Sequence, residues 1–307
     1  MTRCRIGLAA LAIALSGACA FAAQPAPAKR PSGLELGQGQ LAEFKIAEKD
    51  IDQIEARIDD QPVYFYPNES GGFAALVGAD VLAKPGIMPL QINITKRDGR
   101  QQRLKVPIKI KARQFKQESF NVAPGFDDVS PETLEEIRRE QSEFARVFAA
   151  PAAERYWEYP FIRPVPQEAS ASSFGARRII NGTSRAPHAG TDLSAPAGTE
   201  VVAVNNGRVV LVGNYFFAGG AVVIDHGAGL FSMYFHLSEF KVEEGAMVRR
   251  GDVLALSGAT GRVTGPHLHL GFRLNNVRID PLDLLAKLSI SSSGTKEPAA
   301  PANETEN

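Results

Sequence analysis

The sequence predicts an all-β protein: an N-terminal immunoglobulin-like sandwich and a second β domain, joined by a helical connector. Three observations carry this. Residues 33–117 hold period-2 apolar runs separated by turn formers. One stretch after Ser130 carries helix-start signals and a helical apolar stripe. From Tyr159 to Leu288, short apolar runs alternate with glycines.

The first domain (33–120) follows from strict alternation. Leu41-Ala-Glu-Phe-Lys-Ile46, Pro62-Val-Tyr-Phe-Tyr66, Leu90-Gln-Ile-Asn-Ile94 and Leu104-Lys-Val-Pro-Ile-Lys-Ile110 alternate polar with apolar. Asn68-Glu-Ser-Gly-Gly72, Lys84-Pro-Gly86 and Arg97-Asp-Gly99 separate them, as antiparallel strands and turns require. Pro107 lacks an N–H and assigns its strand to an edge or a bulge.

In the connector (121–158), Ser130 suits the N-cap and Pro131 the first helical position. Glu132, Glu135 and Glu136 favour the positive end. Leu134, Ile137, Phe144 and Phe148 form the apolar stripe that packs on one or both domains. In the second domain (159–288), Val201–Val204, Arg208–Val212, Ala221–Ile224 and Phe231–Phe235 read as short strands, several of them too apolar for a one-sided sheet, so strands covered on both faces are expected.

The ends read differently. Arg3 and Arg5, the apolar run Ile6–Leu15 and the small residues Ser16–Ala20 read as a signal peptide (1–22), too short to span a bilayer. A Pro/Ala/Lys-rich leader (23–32) follows, and a Ser/Gly/Pro/Glu tail (289–307) reads as disordered. Cys4 and Cys19 are the only cysteines and both lie in the signal segment. The mature chain therefore has no disulfide and no thiolate ligand. A lipid anchor at Cys19 is disfavoured because Ser16 stands where an aliphatic is usual. The exported chain is expected in the periplasm or cell envelope. With 307 residues and zero formal net charge, two modest domains fit and a nucleic-acid partner has no electrostatic support.

The chemistry lies in the histidines. All five, His188, His226, His236, His267 and His269, fall in the second domain. His267 and His269 sit two apart, so on a strand both rings share a face. An isolated His-x-His is more often two polar residues on a solvated face. His188 stands four before Asp192, and Pro187 and Gly190 argue for a loop entering a strand. Together His188, Asp192 and one of the pair supply three ligands, the usual protein share of a catalytic zinc site. Two neutral imidazoles and one carboxylate leave the centre at +1, which lowers the pKa of bound water. His236, after Tyr234-Phe235 at a strand end, suits a hydrogen bond to that water or to a developing oxyanion. His226, at a turn, reads as structural or supporting.

The segments His188-Ala-Gly-Thr-Asp192, Ile224-Asp-His-Gly227, Tyr234-Phe-His-Leu-Ser238 and Gly265-Pro-His-Leu-His-Leu-Gly271 resemble the lysostaphin-type (LytM-like) zinc metalloendopeptidases. So do Pro196-Ala-Gly-Thr199, Val248-Arg-Arg-Gly-Asp252 and Ser257-Gly-Ala-Thr-Gly261, in order over about 174–285. The resemblance implies a C-terminal antiparallel β metallopeptidase domain with a groove over one zinc ion. It implies His188, Asp192 and His269 as ligands. His236 and His267 become the catalytic histidines, one the general base and both stabilising the oxyanion, with Tyr234 nearby. The implied substrate is the peptide part of bacterial peptidoglycan, its stem peptides and their D,D cross-links. The alternatives are a non-hydrolytic activator of another wall hydrolase and a secreted protease or bacteriolysin. The first domain is expected to bind a partner, hold the enzyme near the wall, or cover the groove as a latency device.

Overall fold

The computed structural model describes residues 33–121, 130–166 and 173–289. The expected signal peptide, leader and all of the tail after Ser289 lie outside the described residues.

The N-terminal domain contains β1 (Leu34–Gly37), β2 (Leu41–Ile46), β3 (Ile51–Ile58), β4 (Gln61–Pro62), β5 (Tyr66–Pro67), β6 (Phe73–Gly78), β7 (Gly86–Lys96) and β8 (Gln101–Lys111). They form two sheets, in the orders β1-β8-β7-β3-β4 and β2-β6-β5. The alternation in β8 buries Val106, Ile108 and Ile110 while Lys105 and Lys109 face out. With Leu90, Ile92 and Ile94 of β7 they meet Phe44, Ala75 and Val77 of the smaller sheet in one core. Pro107 lies opposite Pro89, and β1 joins β8 in parallel only from Ile108 onward. The strand is thus an edge up to Pro107 and internal after it, which is where a residue lacking an N–H is tolerated.

Strand β6, Phe-Ala-Ala-Leu-Val-Gly, is apolar throughout because the small sheet is covered twice. Ala75 and Val77 face the first core; Ala74 and Leu76 join the core of the C-terminal domain. Polar contacts fix this junction. Arg278 grips Asp80 through Nε at 3.0 Å and Nη2 at 2.6 Å, Arg113 pairs with Asp280 at 3.1 Å, and Lys287 Nζ donates to the Leu41 carbonyl at 2.6 Å.

Strand β9 (Gln117–Phe120) pairs in parallel with β10 (Arg177–Ile180), and β11 (Thr183–Ser184) completes that sheet. Between them runs α1 (Pro131–Phe148). Ser130 caps it by accepting from the Thr133 N–H at 3.2 Å, and Pro131 opens it. Ile137 and Phe148 are buried, while Leu134 stands exposed.

The C-terminal domain is one nine-stranded sheet whose pairings are all antiparallel. Its strands are β12 (Gly190–Leu193), β13 (Glu200–Val202), β14 (Gly207–Tyr215), β15 (Gly219–Asp225), β16 (Leu230–Phe240), β17 (Met247–Val248), β18 (Val253–Ser257), β19 (Leu268–Leu274) and β20 (Val277–Ile279). Helix α2 (Pro281–Leu288) ends it, capped by Asp280. Every residue of β15 is buried. Val222 and Ile224 enter the main core, and Ala221 and Val223 enter a second core under Phe148 of α1. The connector is therefore the cover that these doubly apolar strands require. Among the described residues, no helix is long and apolar enough to cross a membrane.

Candidate metal centre and groove

Strand register brings the cluster together. Asp192 of β12 lies opposite His269 of β19, and Phe235 of β16 flanks His269 on the other side. The Phe235 and His269 rings stack, with centroids 5.3 Å apart and planes 6° apart. Gly190 gives the imidazole room: a Cβ there would lie 2.5 Å from His269 Nε2 and 2.3 Å from the Leu270 carbonyl oxygen.

His188 sits in the loop before β12. Its N–H donates to the Ala176 carbonyl, and its own carbonyl accepts from the Gly175 N–H, both at 2.9 Å. Ser173 then holds two members of the cluster. Its carbonyl lies 3.0 Å from His188 Nδ1, and its Oγ accepts from the Asp192 N–H at 3.0 Å. Nothing in the sequence singled out Ser173, because both contacts span a loop and one uses only its backbone.

His188 Nε2, Asp192 Oδ1 and His269 Nδ1 form a triangle with sides of 3.2, 3.0 and 3.0 Å. Ligands on zinc at about 2.0–2.1 Å in a tetrahedron would stand about 3.3 Å apart. The donors are also chemically right. The Ser173 carbonyl takes the Nδ1–H of His188, so its Nε2 presents a lone pair to the Asp192 carboxylate. Two acceptors face each other at 3.2 Å, and a cation between them reconciles the contact. Burial pushes His269 down, toward the neutral form that binds metal. The residues present fit a zinc ion.

His236 and His267 stand beside this triangle. Their ring centroids are 4.7 Å apart, and His267 Nε2 lies 3.6 Å from Asp192 Oδ1. The sequence placed His236 at a strand end; instead β16 continues to Phe240. Regular alternation would send His236 to the face of Tyr234, into the core. A bulge against β15 and a left-handed backbone (φ 66°) return it to the face of Phe235 and His269. Thr260 secures the bulge: its hydroxyl donates to the Leu237 carbonyl and accepts from the Gly220 N–H, and its carbonyl faces His236 Nδ1 at 3.0 Å. His267 precedes β19, in a bridge to Gly258, with Nδ1 2.8 Å from the Gly265 carbonyl. Among the described residues, neither Nε2 makes a hydrogen bond, and that of His267 faces Asp192. Burial pushes His236 down to about 4.

The other motifs build scaffold. Ser257 Oγ donates to the Pro196 carbonyl at 2.6 Å and accepts from the Thr199 N–H, joining two of the short segments. His226 is buried between the Asn206 carbonyl and Ser232 Oγ, both at 2.7 Å, and burial pushes it down to about 4. Tyr234 is buried too, its hydroxyl taking the Val204 N–H at 3.0 Å, so it does not join the cluster.

The cluster lines a cavity of about 330 Å³ with Arg262, Thr264 and Phe217. A second, of about 640 Å³, shares Phe217, Ala218, Phe235 and His269 with it and runs beneath α1. Among the described residues, none of the N-terminal domain lines either cavity. Among the described residues, its small sheet packs on the β19–β20 and α2 side, through Asp80–Arg278 and Leu41–Lys287, and of the three roles expected for that domain these contacts lend no support to cover of the groove. The connector helix, not the sandwich, walls the groove.

Residues 186–281, which hold the triangle and both neighbouring histidines, match Peptidase family M23. The family match thus falls within the C-terminal domain. The chain is 49% identical over 100 residues to peptidoglycan DD-endopeptidase ShyA of Vibrio cholerae, covering 32% of this chain and 23% of ShyA. It is 42% identical over 97 residues to the DD-carboxypeptidase/endopeptidase Mpg of Neisseria meningitidis, covering 32% of this chain and 22% of Mpg. The match thus spans about a quarter of these curated relatives. A solved putative peptidase M23 from Pseudomonas aeruginosa is similar over 84% of this chain and 96% of its own, at 29% identity and a TM-score of 0.65. That likeness extends beyond the M23 match to the β-rich N-terminal part.

Proposed function

We propose that this chain is a zinc endopeptidase that hydrolyses the peptide cross-links of bacterial peptidoglycan, at D,D bonds. The observation that carries the reading is the His188–Asp192–His269 triangle, set in residues that match family M23, with half-identity to a DD-endopeptidase. His188, Asp192 and His269 would hold one zinc ion. Bound there, zinc supplies Lewis acidity toward water and the scissile carbonyl.

The chain's own residues do the rest. His236 and His267 have their Nδ1–H groups tied to the Thr260 and Gly265 carbonyls, so each Nε2 enters the reaction as a base. One takes the proton of the attacking water. Protonated, it donates toward the oxyanion and then passes the proton to the leaving amine. Phe235 stacks on His269 and Phe217 lines the cavity, so apolar rings flank the reacting atoms.

Such a substrate places the work of the chain in the cell envelope, in keeping with the basic, apolar and small-residue pattern of residues 1–22. Two sheets over a shared core support the immunoglobulin-like reading of the N-terminal domain. The test is mass analysis of muropeptides after digestion of purified sacculi by the zinc-loaded chain. Conversion of cross-linked dimers to monomers is expected; zinc-loaded protein that leaves dimers intact would overturn the proposal.

A further inference from the structure

The groove continues along β19 past the histidine cluster. His269, Gly271 and Arg273 fall on one face of that strand, and at about 3.3 Å per residue Arg273 lies roughly 13 Å beyond His269. Met233 fills the space over Gly271, where a Cβ would come within 2.7 Å of its Cε, so the Met233 thioether floors the groove between His269 and Arg273. Ile137, Phe144 and Phe148 of α1 form the apolar wall of this 640 Å³ cavity.

The charges at its margins are not equivalent. Arg278 is engaged twice by Asp80, and Glu140, on the helix, accepts from the Phe216 N–H at 2.9 Å. Arg273 has no carboxylate partner among the described residues. Its guanidinium lies 4.5 Å from the Phe148 ring centroid and, among the described residues, makes one hydrogen bond, to Asn276 Oδ1. A guanidinium carries five N–H donors in a fork that matches a carboxylate, so most of its capacity remains unused.

We propose that Arg273 is a substrate-specificity residue: it anchors a free carboxylate of an extended, largely apolar peptide that runs from the histidine cluster over Met233. Four extended residues span about 13–14 Å, so the carboxylate lies three or four residues from the carbonyl held at the cluster. This rests on the endopeptidase reading, which puts the reacting carbonyl there. Phe144, Phe148 and Phe235 disfavour a charged side chain between the two ends.

The test is fluorescence anisotropy on the zinc-loaded chain, with N-terminally dye-labelled tetra-alanine as the free acid and as the C-terminal amide. The acid is expected to bind about tenfold tighter than the amide, as one charge-assisted pair implies. Arg273→Gln brings that ratio to about one, and Arg273→Lys keeps a preference of several-fold. The ratio is internal to each variant, and a melting curve confirms that each is folded. Equal binding of acid and amide by the parent chain, or an unchanged ratio in Arg273→Gln, overturns the anchor. Sacculus digestion, run in parallel, reports on hydrolysis separately. A preserved acid preference without digestion would retire the reaction and keep the anchor, while digestion without acid preference would retire the anchor alone.

Discussion

The Ser173 carbonyl stands 3.0 Å from His188 Nδ1, and its hydroxyl takes the N–H of Asp192. One loop residue thereby sets the tautomer of one member of the donor triangle and the backbone position of another. Partners of metal ligands typically govern affinity by 10–100-fold. Ser173→Ala keeps the carbonyl and deletes only the hydroxyl, so zinc affinity should fall about tenfold. Titration against a competing chelator measures this, and affinity equal to that of the parent would show that the Asp192 contact does not position the site.

The five site residues divide into two groups by what they touch. His269 is a corner of the donor triangle, so His269→Ala should lose zinc and hydrolysis together. His236 and His267 face the triangle, and among the described residues neither Nε2 makes a hydrogen bond, so alanine at either should leave one zinc bound and lower kcat by about 10²–10⁴. Metal analysis beside sacculus digestion separates the groups. Loss of zinc in His267→Ala would make it a ligand and undo the assignment.

How far the site was legible in the sequence follows from what periodicity can encode. Residues two apart on a strand share a face, and a loop histidine four before a carboxylate can meet them, so the cluster was readable, while the choice of His269 over His267 came from the family resemblance alone. His236 was harder. Its place depends on a bulge and a left-handed φ, and alternation alone sends it into the core. Ser173 acts partly through its backbone, which carries no residue-type signal. The α1 stripe showed that the helix packs, but not that Phe144 would lean on Phe235, itself stacked on His269. The Asp80–Arg278 clamp joins residues far apart in the chain, and surface-type residues at that separation give no pattern to read.

Gly190 is the tightest steric point of the cluster. A methyl group there would meet the Leu270 carbonyl oxygen at 2.3 Å, and that backbone is fixed by the β12–β19 ladder. It would also meet the His269 ring at 2.5 Å. Gly190→Ala must therefore push β12 off β19 and carry Asp192 away from His269. Zinc binding should fall at least tenfold and the chain should lose about 1–3 kcal/mol of stability, the usual range for overpacking. Chelator titration and urea unfolding check both. Unchanged zinc affinity would mean that the strands yield without moving the ligands.

The clamp between the domains makes stability depend on pH in a definite direction. Burial opposes ionisation of Asp80, but the hydrogen bonds from Arg278 and from the Leu82 N–H outweigh it and lower its pKa from 3.8. A carboxyl lowered on folding contributes stability that is present in full above its unfolded pKa and is lost as pH falls through the folded value. Asp80→Asn removes the charge and leaves the Arg278 guanidinium without its partner. It should therefore cost about 2 kcal/mol near neutral pH, the scale of hydrogen bonds to charged groups. The difference from the parent chain should shrink steadily below about pH 4, where Asp80 itself becomes neutral. Urea denaturation of both proteins at a series of pH values measures the gap. A gap that stayed constant down to pH 3 would show that Asp80 acts through shape rather than charge.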